Sequence, residues 1–358
     1  MQRRKLGKTG LEVAALGFGA IKLPDVDEDE AARALNRALD LGIDFVDTAR
    51  NYGDSERKIG RALEHRRAEY ILATKTVARD ADGLRRDLET SLRELQTDHI
   101  DLYQLHSVSS AETWERVMAP RGALAGVRQA QQEGLVRHAG VTMHRAVHEM
   151  ELAIRSGEFE TIMVCYNPLD GEGVEPRVLP LARERGMGVI VMKPLGGGTL
   201  VVPPESKPPG SRDPVVAGCL RYILSHPAVS IVIPGVETAA QVEENVATIE
   251  ESATLSDEGR RELIAALSGV RPHHRYGQTC LRCGYCLPCP QGIEIPKAFR
   301  ALHTAQQYPD ELKYLGRELY ETLEVKASAC VECEECVAKC PAGLPIPQRL
   351  KEVVAEFE

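Results

Sequence analysis

YILATKTVARDADGLRRDLETSLRELQTDHIDLYQLH, residues 70–106, contains two short apolar runs separated by one amphipathic segment. Between the runs 70–75 and 100–106, leucines recur at the spacing of one face of an α-helix, at Leu84, Leu88, Leu92 and Leu95. Strands that are buried on both faces and joined through a helix are typical of a parallel sheet. This stretch therefore predicts a strand–helix–strand unit.

The same alternation extends in both directions from this unit, from residue 13 to about residue 235. Eight apolar runs occur in this range: VAALGFG (13–19), IDFVDTA (43–49), YILATK (70–75), IDLYQLH (100–106), RHAGVTM (137–143), TIMVCYN (161–167), MGVIVMKP (187–194) and SIVIPG (230–235). Helical patterns separate most of them, and Asp29 and Asp82 are candidate caps at the starts of two helices. Eight such units close into a barrel more readily than they form an open sheet, so we predict an α/β fold with a (β/α)8 TIM barrel.

Composition and charge exclude several classes of function. With 43% hydrophobic residues but only five Phe and one Trp, the core is expected to be aliphatic, as barrel interiors are. A net charge of −9 argues against a nucleic-acid partner, because phosphate binding needs clustered Lys and Arg. No run of 18 apolar residues occurs and the basic N-terminus is not followed by an uninterrupted apolar segment, so we expect no membrane span and a cytoplasmic location.

Four polar residues lie where predicted strands end. Asp47, Lys75 and His106 lie at or near the ends of three consecutive predicted strands, and Tyr52 lies in the loop after the second run. Barrels place their active sites at the carboxyl ends of the strands. Each residue taken alone also has a purely structural interpretation. Asp47 could cap a helix, Lys75 could be a surface amine, His106 a core histidine and Tyr52 a packing ring.

The sequence segments around these residues resemble those of the aldo-keto reductase family over most of residues 3–250. The similar segments are GIDFVDTARNYGDSERKIGRAL (42–63), ATK (73–75), SLRELQTDHIDLYQLH (91–106), EGLVRHAGVT (133–142) and IPGVETAAQVEEN (233–245). The resemblance implies an enzyme that moves a hydride between NAD(P)H and an aldehyde or ketone, or the reverse. Its four catalytic positions correspond here to Asp47, Tyr52, Lys75 and His106.

The resemblance also implies a role for each of the four side chains. Hydride addition to a carbonyl carbon leaves an alkoxide, so Tyr52 is expected to deliver a proton. A tyrosine phenol ordinarily has a pKa of about 10, and a nearby ammonium favours its anion, so Lys75 would help the phenol to work in both directions. Asp47 would hold Lys75, and His106 would donate a hydrogen bond that orients the carbonyl oxygen.

The expected nicotinamide contacts depart in part from the family pattern. Where the family has Ser-Asn after the fifth strand, this chain has Thr142 and Met143, and Met143 cannot replace an amide. Asn167 could contribute instead. Further candidates are Lys193, Gly196 and Gly197 at the pyrophosphate.

IPGVETAAQVEEN resembles the family segment that binds the adenosine end of the cofactor. The candidate contacts there are Gly235, Gln241, Glu244 and Asn245. NADP-preferring members often have a basic residue after IPG, whereas this chain has Val236 and Glu237. Because a carboxylate repels a 2′-phosphate, the sequence favours NAD(H) over NADP(H).

Eight of the ten cysteines lie in an internal repeat, CLRCGYCLPCPQGIEIP (280–296) and CVECEECVAKCPAGLPIP (330–347). Consecutive CxxC spacings that end in Cys-Pro are the bacterial ferredoxin signature of 4Fe-4S clusters, in which the fourth cysteine binds the other cluster. The predicted sets are therefore Cys280, Cys283, Cys286 and Cys340 for one cluster, and Cys330, Cys333, Cys336 and Cys289 for the other. The first motif has two residues rather than three before its last cysteine. Two zinc sites, each with four cysteine ligands, are the alternative.

Two helical patterns, KAFRALHTAQQ (297–307) and ELKYLGRELYETLE (311–324), lie between the motifs and indicate a mainly helical, dicluster ferredoxin-like domain. We expect the barrel at 1–270 and the cluster domain at 271–358. The expected partners are a small carbonyl or alcohol substrate and a redox protein, which could carry a flavin. The alternative function is a nicotinamide-binding electron-transfer or redox-sensing module without carbonyl turnover.

Overall fold

The computed structural model describes residues 1–201, 213–250, 254–270, 279–307 and 312–358. These residues fall into two compact units. The first comprises Met1–Tyr166, Gly171–Pro194 and Ala217–Leu255, and the second comprises Asn167–Asp170, Leu195–Val216 and Ser256–Glu358. The boundary predicted between residues 270 and 271 stays a prediction, since residues 271–278 lie outside the described part of the chain.

The first unit is built on an eight-stranded parallel sheet, which follows a short antiparallel hairpin of β1 (Arg3–Lys5) and β2 (Glu12–Ala14). The parallel strands are β3 (Phe18–Gly19), β4 (Phe45–Asp47), β5 (Ile71–Thr76), β6 (Ile100–Leu105), β7 (Val136–Met143), β8 (Thr161–Cys165), β9 (Gly188–Met192) and β10 (Val229–Ile233). They pair in sequence order from β3 to β10.

Backbone hydrogen bonds join the first and last strands and close the barrel. Gly17 N donates to Val232 O (2.9 Å), and Gly19 N donates to Pro234 O (3.0 Å). A Cβ at residue 19 would lie 2.6 Å from Pro234 O, so only glycine allows this approach. The predicted barrel is confirmed, although the run 13–19 is divided between the hairpin and a two-residue barrel strand.

Helices follow most of the barrel strands. They are α1 (Glu28–Asp40), α2 (Ser55–Leu63), α3 (Ala81–Glu94), α4 (Ala111–Met118), α5 (Ala123–Gln132), α6 (Val147–Ser156), α7 (Leu179–Glu184), α8 (Pro214–Leu224) and α9 (Ala239–Glu250). The predicted caps were wrong by two residues: Asp27 accepts from Glu30 N (2.7 Å) at α1, and Asp80 accepts from Gly83 N (2.8 Å) at α3.

The second unit is mainly helical, as the sequence predicts. Its helices are α10 (Asp257–Val270), α11 (Ile295–Gln307), α12 (Tyr314–Glu321), α13 (Glu335–Lys339) and α14 (Ile346–Phe357). Buried residues of α11, α12 and α14, among them Leu302, Tyr320 and Leu350, pack into one apolar cluster that the cysteine loops also contact. The cysteine motifs therefore lie on a helical core of their own.

Candidate active site and cluster sites

The four side chains predicted to act together are gathered at the carboxyl ends of β4, β5 and β6. Lys75 Nζ lies 2.6 Å from Asp47 Oδ2 and 2.7 Å from Thr48 O. The same Nζ lies 4.8 Å from the ring centroid of Tyr52. The Tyr52 ring meets the His106 ring edge-on, with centroids 5.7 Å apart. The arrangement follows from the sheet order, in which β4, β5 and β6 are neighbours.

Lys75 is held as an ammonium although it is 1% exposed. Burial alone would lower the pKa of Lys75, but the charges and hydrogen bonds of Asp47 and Tyr52 raise it overall. A positive charge beside the phenol is thus a fixed property of this site.

Gln104 belongs to this group of residues and was not predicted. Its Nε2 donates to Asp47 Oδ1 (3.0 Å), so that both carboxylate oxygens of Asp47 are bonded. Gln104 is completely buried, and it precedes His106 by two residues. The available signal was an amide in a predicted buried strand two residues before His106, since residues i and i+2 of a strand share a face.

A second polar network supports the loop that carries Tyr52. Arg50, two residues before Tyr52, is paired with Glu56 and, at 2.9 Å, with Glu94. Glu56 is 1% exposed and also accepts a hydrogen bond from Thr74 Oγ1 (2.6 Å). The loop is therefore tied to β5 and α3.

His106 and His144 are both buried, and both are held neutral. Burial lowers the pKa of each ring well below its usual value, and the charges of Lys75 and Lys193 add to the effect. A neutral imidazole can still donate one hydrogen bond, which suits the role expected of His106. His144 follows the predicted Thr142–Met143 pair and was not predicted to lie near the site.

The predicted nicotinamide residues differ in their surroundings. Thr142 Oγ1 accepts from Ser107 N (2.9 Å) and so supports the turn directly after His106. Lys193 directly follows β9 and has a backbone φ of 55°, and its charge acts on His106 and His144. Asn167 bonds within its own turn, where its Nδ2 donates to Asp170 Oδ2 (3.0 Å).

The predicted adenosine-end residues follow β10. Gly235 pairs with Gly19 beside the barrel closure, and Gln241 Oε1 accepts from Glu237 N (2.8 Å). On α9, Glu244 is half-buried, and Asn245 is buried at 6% exposure. Glu237 Oε1 lies 3.6 Å from Lys22 Nζ.

The cysteine repeat produces two similar loops with left-handed backbone at equivalent positions. Arg282 and Glu332 have φ of 53° and 56°, and Gly292 and Gly343 have φ of 79° and 61°. At the first of these turns Arg282 N donates to Cys280 Sγ (3.4 Å). Similar backbone at similar positions is what a sequence repeat of this kind predicts.

The structure brings the cysteines together in two sets of four. The first thiol set, Cys280, Cys283, Cys286 and Cys340, lines one cavity whose remaining wall is apolar, including Ile295, Phe299 and Leu344. Burial raises the pKa of Cys280 to about 11 and that of Cys286 to about 12. A cluster that takes these sulfurs as thiolates suits this donor set, since it removes the cost of burying the free anions.

The second thiol set consists of Cys289, Cys330, Cys333 and Cys336. Burial raises the pKa of Cys336, and repulsion by thiolates at Cys330, Cys333 and Cys289 raises it further, so the four sulfurs lie near one another. Cys333 is exposed, whereas Cys286 of the first set is buried. Within the described residues, no three His, Cys, Asp or Glu side chains have the geometry of a single-ion metal site.

Comparison with known proteins agrees with this architecture. The aldo/keto reductase family model matches residues 15–216, and a 4Fe-4S dicluster domain model matches residues 279–344. L-galactose dehydrogenase of Arabidopsis thaliana is 30% identical over 309 residues, which cover 76% of this chain and 96% of that protein. The 6-dehydroglucose reductase of Novosphingobium aromaticivorans is 29% identical, over 67% of this chain and 88% of that protein.

A solved structure shows the same relationship. The holo form of an aldo-keto reductase from Bacillus halodurans superposes with a TM-score of 0.61 and 30% identity, covering 75% of this chain and 96% of that one. The chain therefore belongs to the aldo/keto reductase family of oxidoreductases and carries a C-terminal region that matches a 4Fe-4S domain. In the described part of the chain, no helix has the length and apolar character needed to cross a membrane.

Proposed function

We propose that this chain interconverts a small aldehyde or ketone and its alcohol, with NAD(H) favoured over NADP(H), and that its eight clustered cysteines hold two 4Fe-4S clusters. The observation that carries the proposal is the position of the buried Lys75 ammonium, 2.6 Å from Asp47 and 4.8 Å from the Tyr52 ring centroid. A bound nicotinamide would supply or accept the hydride.

The chain's own residues then have separate tasks. Tyr52 delivers a proton to the carbonyl oxygen as charge develops there, or recovers it in the reverse direction. Lys75, held by Asp47, stabilises the phenolate that remains. Neutral His106 donates a hydrogen bond to the same oxygen and so orients the substrate.

Residues around this group fit a nicotinamide cofactor. Thr142 bonds the backbone directly after His106, and the charge of Lys193 acts on His106, which supports assigning Thr142 to the nicotinamide and Lys193 to the pyrophosphate. We assign Gly196 and Gly197 to the pyrophosphate, and Gly235, Gln241, Glu244 and Asn245 to the adenosine end. Asn167 is a weaker candidate, because its amide bonds within its own turn.

The preference for NAD(H) rests on local charge. The ammonium of Lys22 lies 3.6 Å from Glu237 and forms a second ion pair with Asp25 (2.7 Å). Two carboxylates thus surround one ammonium, and a 2′-phosphate placed there would meet net negative charge.

The two thiol sets suit 4Fe-4S clusters of the ferredoxin kind, with the fourth cysteine of each motif completing the other set. Bound clusters would supply one-electron transfer to a redox partner or stabilise the cysteine loops.

The test is an anaerobic screen of aldehydes, ketones, sugars and hydroxy compounds with NADH, NADPH and their oxidised forms. For any active carbonyl, cofactor deuterated at the transferable position should place one deuterium on the former carbonyl carbon. Cofactor binding without turnover of any compound in the screen would instead support a redox-sensing or electron-transfer module.

A further inference from the structure

The segment after β9 packs directly on the first cysteine motif within the second unit. Gly197 has φ of +67°, and a Cβ there would lie 2.8 Å from the carbonyl carbon of Leu281 and closer still to its oxygen. The two backbones therefore touch, and only glycine allows this approach. Leu281 lies between Cys280 and Arg282 in the cysteine motif.

Arg282 connects a thiol of the first set to the same segment. Its backbone N donates to Cys280 Sγ (3.4 Å), and its Nη1 donates to Gly198 O (3.4 Å). One residue of the cysteine loop thus contacts both a cluster ligand and the glycine segment.

A contact from α11 holds the end of the segment. Nε2 of the buried His303 donates to Thr199 O (3.0 Å), and Thr199 Oγ1 in turn donates to Gly196 O (2.8 Å). The conformation of residues 196–199 therefore depends on its neighbours in the cysteine domain as well as on its own sequence. Pro194 and Leu195 alone separate this segment in the chain from Lys193.

We infer that residues 196–199 help to form the binding site of the first cluster. Binding of that cluster by the first thiol set then fixes the backbone that binds the cofactor pyrophosphate. This inference rests on the proposed function. Four cysteines bound to one cluster would hold the loop 280–286 in place. Without the cluster that loop can move, and the glycine segment loses the surface on which it packs. If the cluster fixes the element that binds the cofactor, the cluster and the cofactor raise each other's affinity by the same factor.

The first experiment compares Gly197→Ala with Gly186→Ala in the full-length protein after anaerobic reconstitution. Gly186 also has positive φ (+63°), but nothing lies within 4 Å of a Cβ there, so this control separates backbone strain from the contact with Leu281. We expect G197A to hold about four iron atoms per chain and G186A about eight. We also expect the NADH Kd of G197A, measured by anaerobic calorimetry, to rise about fivefold or more, with that of G186A unchanged. Full iron and an unchanged Kd in G197A would overturn the inference.

The second experiment does not depend on how well G197A folds. Cys283→Ser and Cys333→Ser each remove one ligand, from the first and the second thiol set respectively. Both variants should lose about half of the iron and sulfide. Only C283S should bind NADH about fivefold or more weakly.

The outcomes separate this inference from the proposed function. If the wild type carries both clusters but C283S and C333S bind NADH with equal Kd values, the inference is overturned and the proposed function is not. A wild type that takes up no iron and sulfide would overturn the proposed cluster sites and the inference together.

Discussion

Asp47 and Lys75 form an ion pair that is almost completely removed from solvent, with Lys75 Nζ 2.6 Å from Asp47 Oδ2. A buried pair of this kind is costly to break, because removing one partner leaves the other charge without compensation in a low dielectric. The same pair fixes the positive charge that the proposed chemistry needs beside Tyr52.

Asp47→Asn should therefore affect both stability and turnover. We expect the free energy of unfolding to fall by about 3–5 kcal/mol, because Lys75 would face a neutral amide. Chemical denaturation measures this loss. Asp25→Asn, which alters the exposed pair with Lys22, should cost less than about 1 kcal/mol. Equal effects of the two substitutions would show that the buried pair is not stabilising.

The neutral state of His144 predicts a dependence of stability on pH. Because the folded pKa of His144 is lowered, this histidine contributes stability that is fully present above about pH 6.5, its ordinary pKa, and is lost as pH falls toward the folded pKa. We expect His144→Gln to reduce the loss of unfolding free energy between about pH 7.5 and about pH 5.5 by about 1 kcal/mol relative to wild type.

The control for this measurement is His148→Gln, since His148 is exposed on α6. It should lose as much stability over the same pH interval as the wild type does. A pH dependence in H144Q identical to that of the wild type would contradict the assignment of His144 as a buried neutral ring.

Cofactor preference tests the role of Glu237. We expect a higher kcat/KM with NADH than with NADPH, and Glu237→Gln should shift this ratio about fivefold toward NADPH because one repulsive charge is removed. Glu243→Gln is a matched change on α9, where Glu243 is exposed and paired with Arg37, and it should leave the ratio unaltered. A strong wild-type preference for NADPH would refute the assignment.

Metal analysis tests the two thiol sets. Protein purified without oxygen should contain about eight iron atoms and about eight acid-labile sulfides per chain, from two 4Fe-4S clusters. Zinc without sulfide would replace the cluster interpretation by two zinc sites.

Much of the architecture was predictable because its determinants are local or periodic. The eight apolar runs define eight barrel strands, and the cysteine repeat corresponds to loops that share left-handed backbone at equivalent positions, such as Arg282 and Glu332. The proximity of Asp47, Lys75 and His106 follows from their positions at the ends of three neighbouring parallel strands.

Other features depend on contacts between distant residues and left little local signal. Gln104 is an ordinary amide in the sequence, and only the pairing of β4, β5 and β6 brings it to Asp47. The contact between Gly197 and Leu281 joins residues that are 84 positions apart in the chain. Asp27 and Asp80 cap their helices in place of Asp29 and Asp82, because side chains of the same type near a helix start compete for one role.

The most direct test of the central claim is carbonyl reduction by Tyr52→Phe with any substrate that the wild type accepts. The variant keeps the ring beside Lys75 and removes only the hydroxyl. We predict that kcat falls by about 10²–10⁴-fold while the Kd for NADH stays within twofold of the wild-type value, which is about 0.4 kcal/mol. Turnover equal to that of the wild type would contradict the account.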